Sequence, residues 1–281
     1  MQILRDGRII NDRRLDRIPS FDERSRNYPI RTRIKEGLEP ITKIWTLDKY
    51  FDQGEDGACV GFGTAHRLLS EPVIPTIVVD NKYAKEIIYW NAQRNDEWPG
   101  GSYPGASPWY EGTSVLAGLD FIKSIGWCDN YYWAFKFMDL LLGKSYEGPA
   151  ILGVPWMTGM METDSNGFIH ATGIEEGGHC ICDIGQNMEE RFSWLHNSWG
   201  PNWGLNGRCK ISFDDQQKLL SMQGEAAFLI NEHDHPSSEP PDPDDDDESD
   251  CLVTRGVIGI FNALANILGR KSRINSYVER G

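Results

Sequence analysis

The residues that could do chemistry here are a glutamine, a cysteine, a histidine and an asparagine, met in that order. Gln53 stands six residues before Cys59 in the stretch Gln53-Gly54-Glu55-Asp56-Gly57-Ala58-Cys59-Val60-Gly61-Phe62, and a helix-forming run begins at the cysteine and reaches Leu69. A cysteine at a helix N-terminus sits at the positive end of the helix dipole, which favours the thiolate. A glutamine amide can donate N–H to the oxyanion that forms on a carbonyl attacked by that sulfur. A buried cysteine can equally be a small core residue, so the far end of the chain decides. There Gly177-Gly178-His179 opens an alternating apolar run, and Trp194-Leu195-His196-Asn197-Ser198-Trp199-Gly200 follows. Nucleophilic cysteine chemistry needs a base beside the sulfur and a polar group that orients the base. His179 and Asn197 lie 120 and 138 residues beyond Cys59 and supply those two groups in that order.

With both flanking segments quoted, the chain resembles the papain family of cysteine peptidases. The run Asn197-Ser198-Trp199-Gly200-Pro201-Asn202-Trp203-Gly204-Leu205-Asn206-Gly207 matches that family's Asn-Ser-Trp-Gly…Trp-Gly…Asn-Gly signature almost residue for residue. The resemblance implies that Cys59 attacks as the thiolate, His179 holds it as imidazolium and then protonates the leaving amine, and Asn197 fixes the imidazole. It also implies that Gln53 and the Cys59 N–H form the oxyanion hole, and that Trp199 shields the histidine–asparagine bond from water. By the same likeness Gly112, Thr113 and Gly178 run beside a bound peptide and Trp156 walls a subsite. The chain departs from the pattern at Val60, where an aromatic residue is usual, at Cys180, where a small residue follows the histidine, and at Asp56, often a disulfide cysteine in secreted relatives. The Gln-Gly-x-x-Gly-Ala-Cys-Val-Gly form looks more like the bacterial and bacteriophage branch than the lysosomal one.

The expected fold is therefore α+β and two-lobed. A helical lobe over about 56–147 carries Cys59, and an antiparallel β lobe over about 148–230 carries His179 and Asn197, with the substrate cleft between them. The elements needed can be read locally. Helical spacing runs from Lys82 to Ala92 through Tyr83, Ile87, Ile88 and Trp90. A second helix spans Val115 to Ile125, with Thr113 or Ser114 as its N-cap. Strands are expected at 149–154, 168–174, 179–184, 192–195, 208–213 and 226–230. Residues 1–40 are arginine-rich and broken by Pro19, Pro29 and Pro40, and read as an N-terminal surface arm or a short pro-segment, the ordered arm being favoured.

At 281 residues the chain can bury a substantial core. Its net charge of −14 is local: residues 232–250 carry ten acidic side chains and no Lys or Arg. That stretch cannot bury apolar area and reads as a disordered linker, 231–250. Beyond it, 251–281 reads as an amphipathic helix over 253–268 with a basic tail, suited to docking or self-association. Basic side chains cluster at the ends, which gives no reason to expect a nucleic-acid partner.

Six cysteines, the missing disulfide position and an N-terminus carrying Arg5, Asp6 and Arg8 argue against a secretory leader and a disulfide framework. No apolar run is long enough to span a membrane. The expected setting is cytoplasmic or virion-associated. Cys180 and Cys182 share a strand face, but no further ligands accompany them, so neither metal nor cofactor is expected. His66 reads as packing or surface, and His196 as pointing away from Asn197. The function expected is a cysteine endopeptidase acting on proteins or peptides. The alternatives are a papain-like structural or binding module of a larger assembly with an unused site, and a transglutaminase-like acyltransferase, against which Asn197 in place of an aspartate argues.

Overall fold

The computed structural model describes residues 1–240. The rest of the expected linker, the helix expected at 253–268 and the basic tail lie outside the described residues.

Five α-helices and ten strands are described. The N-terminal segment carries a small hairpin, β1 (Gln2–Ile3) with β2 (Ile9–Ile10), and β3 (Lys43–Ile44) follows. Next come α1 (Cys59–Leu68), a π-helical turn over Tyr83–Tyr89 running into α2 (Trp90–Asn95), α3 (Val115–Ser124), β4 (Cys128–Trp133) and α4 (Phe137–Tyr146). The second half supplies β5 (Ala150–Met157), β6 (Phe168–Ile169), β7 (Glu175–Asn187), β8 (Phe192–His196), β9 (Arg208–Ser212), α5 (Phe213–Ser221) and β10 (Glu225–Glu232). Strands are ordered β4-β10-β5-β7-β8-β9-β6, with β3 added on β7; pairing is antiparallel except between β6 and β9.

All ten residues of α1 are buried. A helix buried all round lies inside a protein rather than on its face, and Arg67 is accommodated there by pairing with Glu232. Gly63 explains how closely it lies on β7: a β-carbon there would come within 2.7 Å of Cys180 Sγ. One apolar cluster gathers α1, α3 and the π-helical turn around Phe62, Leu119 and Trp127. Another fills the other face of the sheet around Leu152, Trp156 and Ile211. The long middle strand β7 is sandwiched between them and holds His179 at 0 % exposure.

Several expected elements differ in extent. Ser114, not Thr113, caps α3, its Oγ accepting from the Ala117 N–H at 3.1 Å; the Thr113 hydroxyl donates to Asp96 instead. The strand expected over 168–174 stops at Ile169. Beyond it the backbone bends back, with Gly173 at φ +89°, a left-handed conformation that glycine adopts without cost. No reading of the sequence picked out β4, α4 or α5. In α4 the run Leu140-Leu141-Leu142 is buried throughout, so no polar face marks it as a helix.

Candidate active site

Cys59 is the first residue of α1 and has no exposed surface. Its thiol donates to Asp16 Oδ1 at 3.0 Å, and its sulfur accepts from the Cys180 backbone N–H at 3.3 Å. The Cys59 N–H also turns to Asp16 Oδ1, at 3.3 Å. The opposite carboxyl oxygen, Oδ2, accepts from the Tyr89 hydroxyl at 2.7 Å and from the Gly112 N–H at 3.1 Å. Asp16 belongs to the N-terminal segment, and its carboxyl occupies the mouth of α1 as an anion would. Burial pushes its pKa up to about 7, against the hydrogen bonds from Tyr89 and Cys59.

This neighbour corrects one expectation. A helix N-terminus was to favour the thiolate, yet burial first, and the Asp16 charge second, push the Cys59 thiol well above its usual value. Desolvation penalises a charged sulfur, and a carboxylate at hydrogen-bond distance repels it. The helix dipole is outweighed, so the sulfur is a thiol in this state. Neither of its hydrogen bonds goes to His179.

His179, in the middle of β7, sets its Nε2 2.8 Å from Asn197 Oδ1. Asn197 follows β8, where its N–H donates to the Gly207 carbonyl and its Oδ1 also accepts from the Ser198 N–H, each at 2.8 Å. Aromatic rings surround the imidazole: Trp199 lies 5.1 Å away centre to centre and Trp156 4.7 Å away. Trp203 backs Trp199 at 5.3 Å. Trp156 was expected to wall a subsite. It is wholly buried beneath the imidazole and belongs to the support of the histidine, because β5 turns it inward at position 156. Burial holds His179 down to about 4, against the hydrogen bonds of Asn197 and the Arg14 carbonyl. The imidazole is therefore neutral, not imidazolium, and its Nδ1 lacks a well-aligned partner.

Gln53 is held at both ends. Its Oε1 accepts from the Ser198 hydroxyl at 2.6 Å, which ties the glutamine loop to the residue after Asn197. Its Nε2 donates to the Asp56 carbonyl at 2.8 Å and, more distantly, to the Arg14 carbonyl at 3.4 Å. Both amide hydrogen bonds of Gln53 are thus directed to carbonyl oxygens, one in its own loop and one in the N-terminal segment.

The N-terminal segment thus fills the groove between Cys59 and His179. Residues 15–18 pair as an extended strand: the Gly178 N–H donates to the Leu15 carbonyl, the Arg17 N–H to the Gly178 carbonyl, and the Ile18 N–H to the Thr113 carbonyl, at 2.9–3.1 Å. Leu15, Asp16, Arg17 and Ile18 are buried. Gly112, Thr113 and Gly178, expected beside a bound peptide, all contact this segment; at Gly112 a β-carbon would come within 3.1 Å of the Asp16 carbonyl. The Arg14 guanidinium lies 4.1 Å over Trp199. Nothing in the sequence singled out Asp16, Tyr89 or Glu225; residues 12–18 hold five charged side chains to two apolar ones, the composition of a solvated surface segment.

His66 and His196 stack on each other at 4.5 Å, buried and away from the groove, as the packing reading of His66 and the opposite facing of His196 require. Among the described residues no group of three His, Cys, Asp or Glu side chains is placed to hold a metal. No helix among them is long and apolar enough to cross a membrane.

The fold finds its counterpart in xylellain, a cysteine protease from Xylella fastidiosa. That structure superposes with a TM-score of 0.58 at 14 % identity, covering 80 % of this chain and 99 % of its own. The fold is that of the papain-like cysteine peptidases. Procathepsin B from Trypanosoma congolense also aligns, over 79 % of this chain at 11 % identity with a TM-score of 0.49. An uncharacterised peptidase C1-like protein of Acanthamoeba polyphaga mimivirus is 24 % identical over 234 residues, 66 % of this chain and 71 % of its own. No family model matches the chain.

Proposed function

We propose that the chain is a cysteine peptidase described here in a latent state, with residues 12–18 as its lock. The observation that carries the reading is the His179–Asn197 hydrogen bond at 2.8 Å, enclosed by Trp199 and Trp156 and set across the groove from a cysteine at a helix N-terminus. In the unlocked form the Cys59 proton passes to His179 Nδ1, and Asn197 on Nε2 keeps the ring turned towards the sulfur. The thiolate bonds to the substrate carbonyl carbon. Gln53 Nε2 and the Cys59 N–H hold the oxyanion. The C–N bond then breaks as the imidazolium gives its proton to the leaving amine, and water, activated by His179, hydrolyses the thioester.

The lock works through groups the reaction needs. The Asp16 carboxyl accepts hydrogen bonds from the Cys59 thiol and N–H, the Arg14 carbonyl faces Gln53, and the Arg14 guanidinium covers Trp199. An Asp16→Ala chain should react with an epoxide inhibitor at Cys59 and hydrolyse peptides, and His179→Ala or Cys59→Ala should abolish hydrolysis. If Cys59 in Asp16→Ala reacts no faster than a thiol of the unfolded chain and no peptide is cut, the peptidase reading is wrong.

A further inference from the structure

The Tyr89 hydroxyl holds Asp16 from the side of the helical lobe, and the network behind it fixes where its proton points. Its oxygen accepts from the Gly112 N–H at 2.8 Å and from Gln93 Nε2 at 3.0 Å, so both acceptor positions are taken. Its hydrogen goes to Asp16 Oδ2 at 2.7 Å. Tyr89 is buried at the end of the π-helical turn, a form that gathers at functional sites. Gly61 on α1 lets that turn come close: a β-carbon there would collide with the Ala84 carbonyl oxygen and lie 2.7 Å from Tyr89 Cβ. The carboxyl joins the tyrosine to the nucleophile, since its other oxygen, Oδ1, lies 3.0 Å from Cys59 Sγ and 3.3 Å from the Cys59 nitrogen. Burial first, and Asp16 second, hold the phenol well above its ordinary pKa, so it stays a donor.

In the unlocked form the carboxyl leaves a small polar space bounded by the Tyr89 O–H, the Gly112 N–H, the Cys59 N–H and the Cys59 sulfur. Four such partners suit one water, which needs two to four. That water accepts from Tyr89 and donates to the sulfur, and a hydrogen bond donated to a charged group favours the charged form. We propose that Tyr89 is a positioning residue for the nucleophile: the donor that seats Asp16 in the locked state holds, through one water, the Cys59 thiolate in the unlocked state. The tyrosine keeps its own proton throughout, and the proton that leaves the sulfur goes to His179. The role rests on the peptidase reading for its use in turnover, but it shows in the titration of the sulfur whether or not a peptide is cut. The ionisable groups facing the sulfur are Asp16 on the N-terminal segment and Cys180, next to His179 on β7; those facing the phenol are Asp16, Glu111 and Arg5. Apart from Asp16, all of them stay in place in the chains compared below.

The test compares the full-length Asp16→Ala chain with the same chain carrying Tyr89→Phe as well, so that only the hydroxyl differs. Alkylation by iodoacetamide is read at Cys59 by mass spectrometry, across the pH range in which the thiol ionises. Losing a hydrogen bond to a charged group should raise the midpoint of that profile by about one pH unit, a roughly tenfold smaller thiolate fraction on its acid side, with the alkaline plateau unchanged. Should Tyr89→Phe fail to fold, Gln93→Met in the Asp16→Ala chain frees an acceptor position of the hydroxyl and lets its proton turn away. The midpoint should then rise by about half a unit. A tyrosine that served packing alone would scale the rate equally at every pH. A midpoint that stays in place or falls, whatever happens to the plateau, therefore overturns the assignment. A raised midpoint in a chain that cuts no peptide leaves Tyr89 its role and removes the peptidase reading, whereas peptide hydrolysis with an unmoved midpoint does the reverse.

Discussion

Two buried ion pairs, Lys144–Asp183 and Arg17–Glu225, have the same chemistry and opposite meanings. Lys144 Nζ lies 2.8 Å from Asp183 Oδ2 and 2.6 Å from the Ser193 hydroxyl, and Asp183 Oδ2 also accepts from Gln216 at 2.6 Å. Helix α4, strands β7 and β8 and helix α5 each supply one of these groups, so the pair is closed on every side by elements that stay together. Arg17, by contrast, whose Nε lies 3.0 Å from Glu225 Oε1, arrives on a strand held by three backbone hydrogen bonds, and Glu225 keeps one oxygen unpartnered. Burial alone therefore does not tell a permanent pair from a releasable one. The difference lies in whether one partner sits on a segment that can leave.

The largest effect should come from breaking the closed pair. Lys144→Met leaves Asp183 charged and enclosed, and should cost about 3–5 kcal/mol in denaturant unfolding. Arg17→Met should cost less, about 1.5–3 kcal/mol, because the segment can lift and let water reach Glu225. Equal losses in the two variants would erase the contrast. Unlike Lys144→Met, Arg17→Met should also raise the rate of Cys59 alkylation.

Asp16 sharpens the comparison through pH. Its pKa in the locked state is raised to about 7, well above the roughly 3.9 of a free aspartate. The locked state thus holds a proton that the released segment gives up. Its contribution is complete below about pH 4 and is lost as pH rises through about 7. Cys59 (α1), Tyr89 and Glu111 are the ionisable groups that face this carboxyl. Between about pH 4 and pH 7 the opening equilibrium should shift towards release by roughly tenfold per pH unit, and it should level off above pH 7. Alkylation of Cys59 followed from pH 5 to 7 should rise more steeply in the wild-type chain than in Asp16→Asn. Parallel profiles would show that Asp16 does not time the release.

The smallest effect is expected at the rim. Arg13 pairs with Glu111 while remaining 44 % exposed, so Arg13→Ala should change stability by less than about 1 kcal/mol and fade in salt. A large loss there would move the segment's anchoring away from the Arg17–Glu225 pair.

The segment is also where sequence and structure part most clearly. Gln53, Cys59, His179 and Asn197 could be picked out because each lies in a run of unusual local composition. Helices α1 and α3 could be traced from apolar spacing and from Ser114. Residues 12–18 carry no such mark. Their arginines and aspartates have the composition of a solvated strand, and only the groove turns Asp16 and Arg17 inward. Trp156 was legible as important but not in its role, since one residue of strand register decides whether an indole faces a ligand or a core.

The sequence by itself pointed to the fold class and to the candidate groups, because helix spacing, strand alternation and the runs that carry the family resemblance are local properties. Tertiary structure alone decided the protonation of Cys59 and His179, the seat of Asp16 on the sulfur, and the pairing of Arg17 with Glu225 across 208 residues of chain. Those outcomes depend on which groups lose water together, and that is fixed only when distant segments pack.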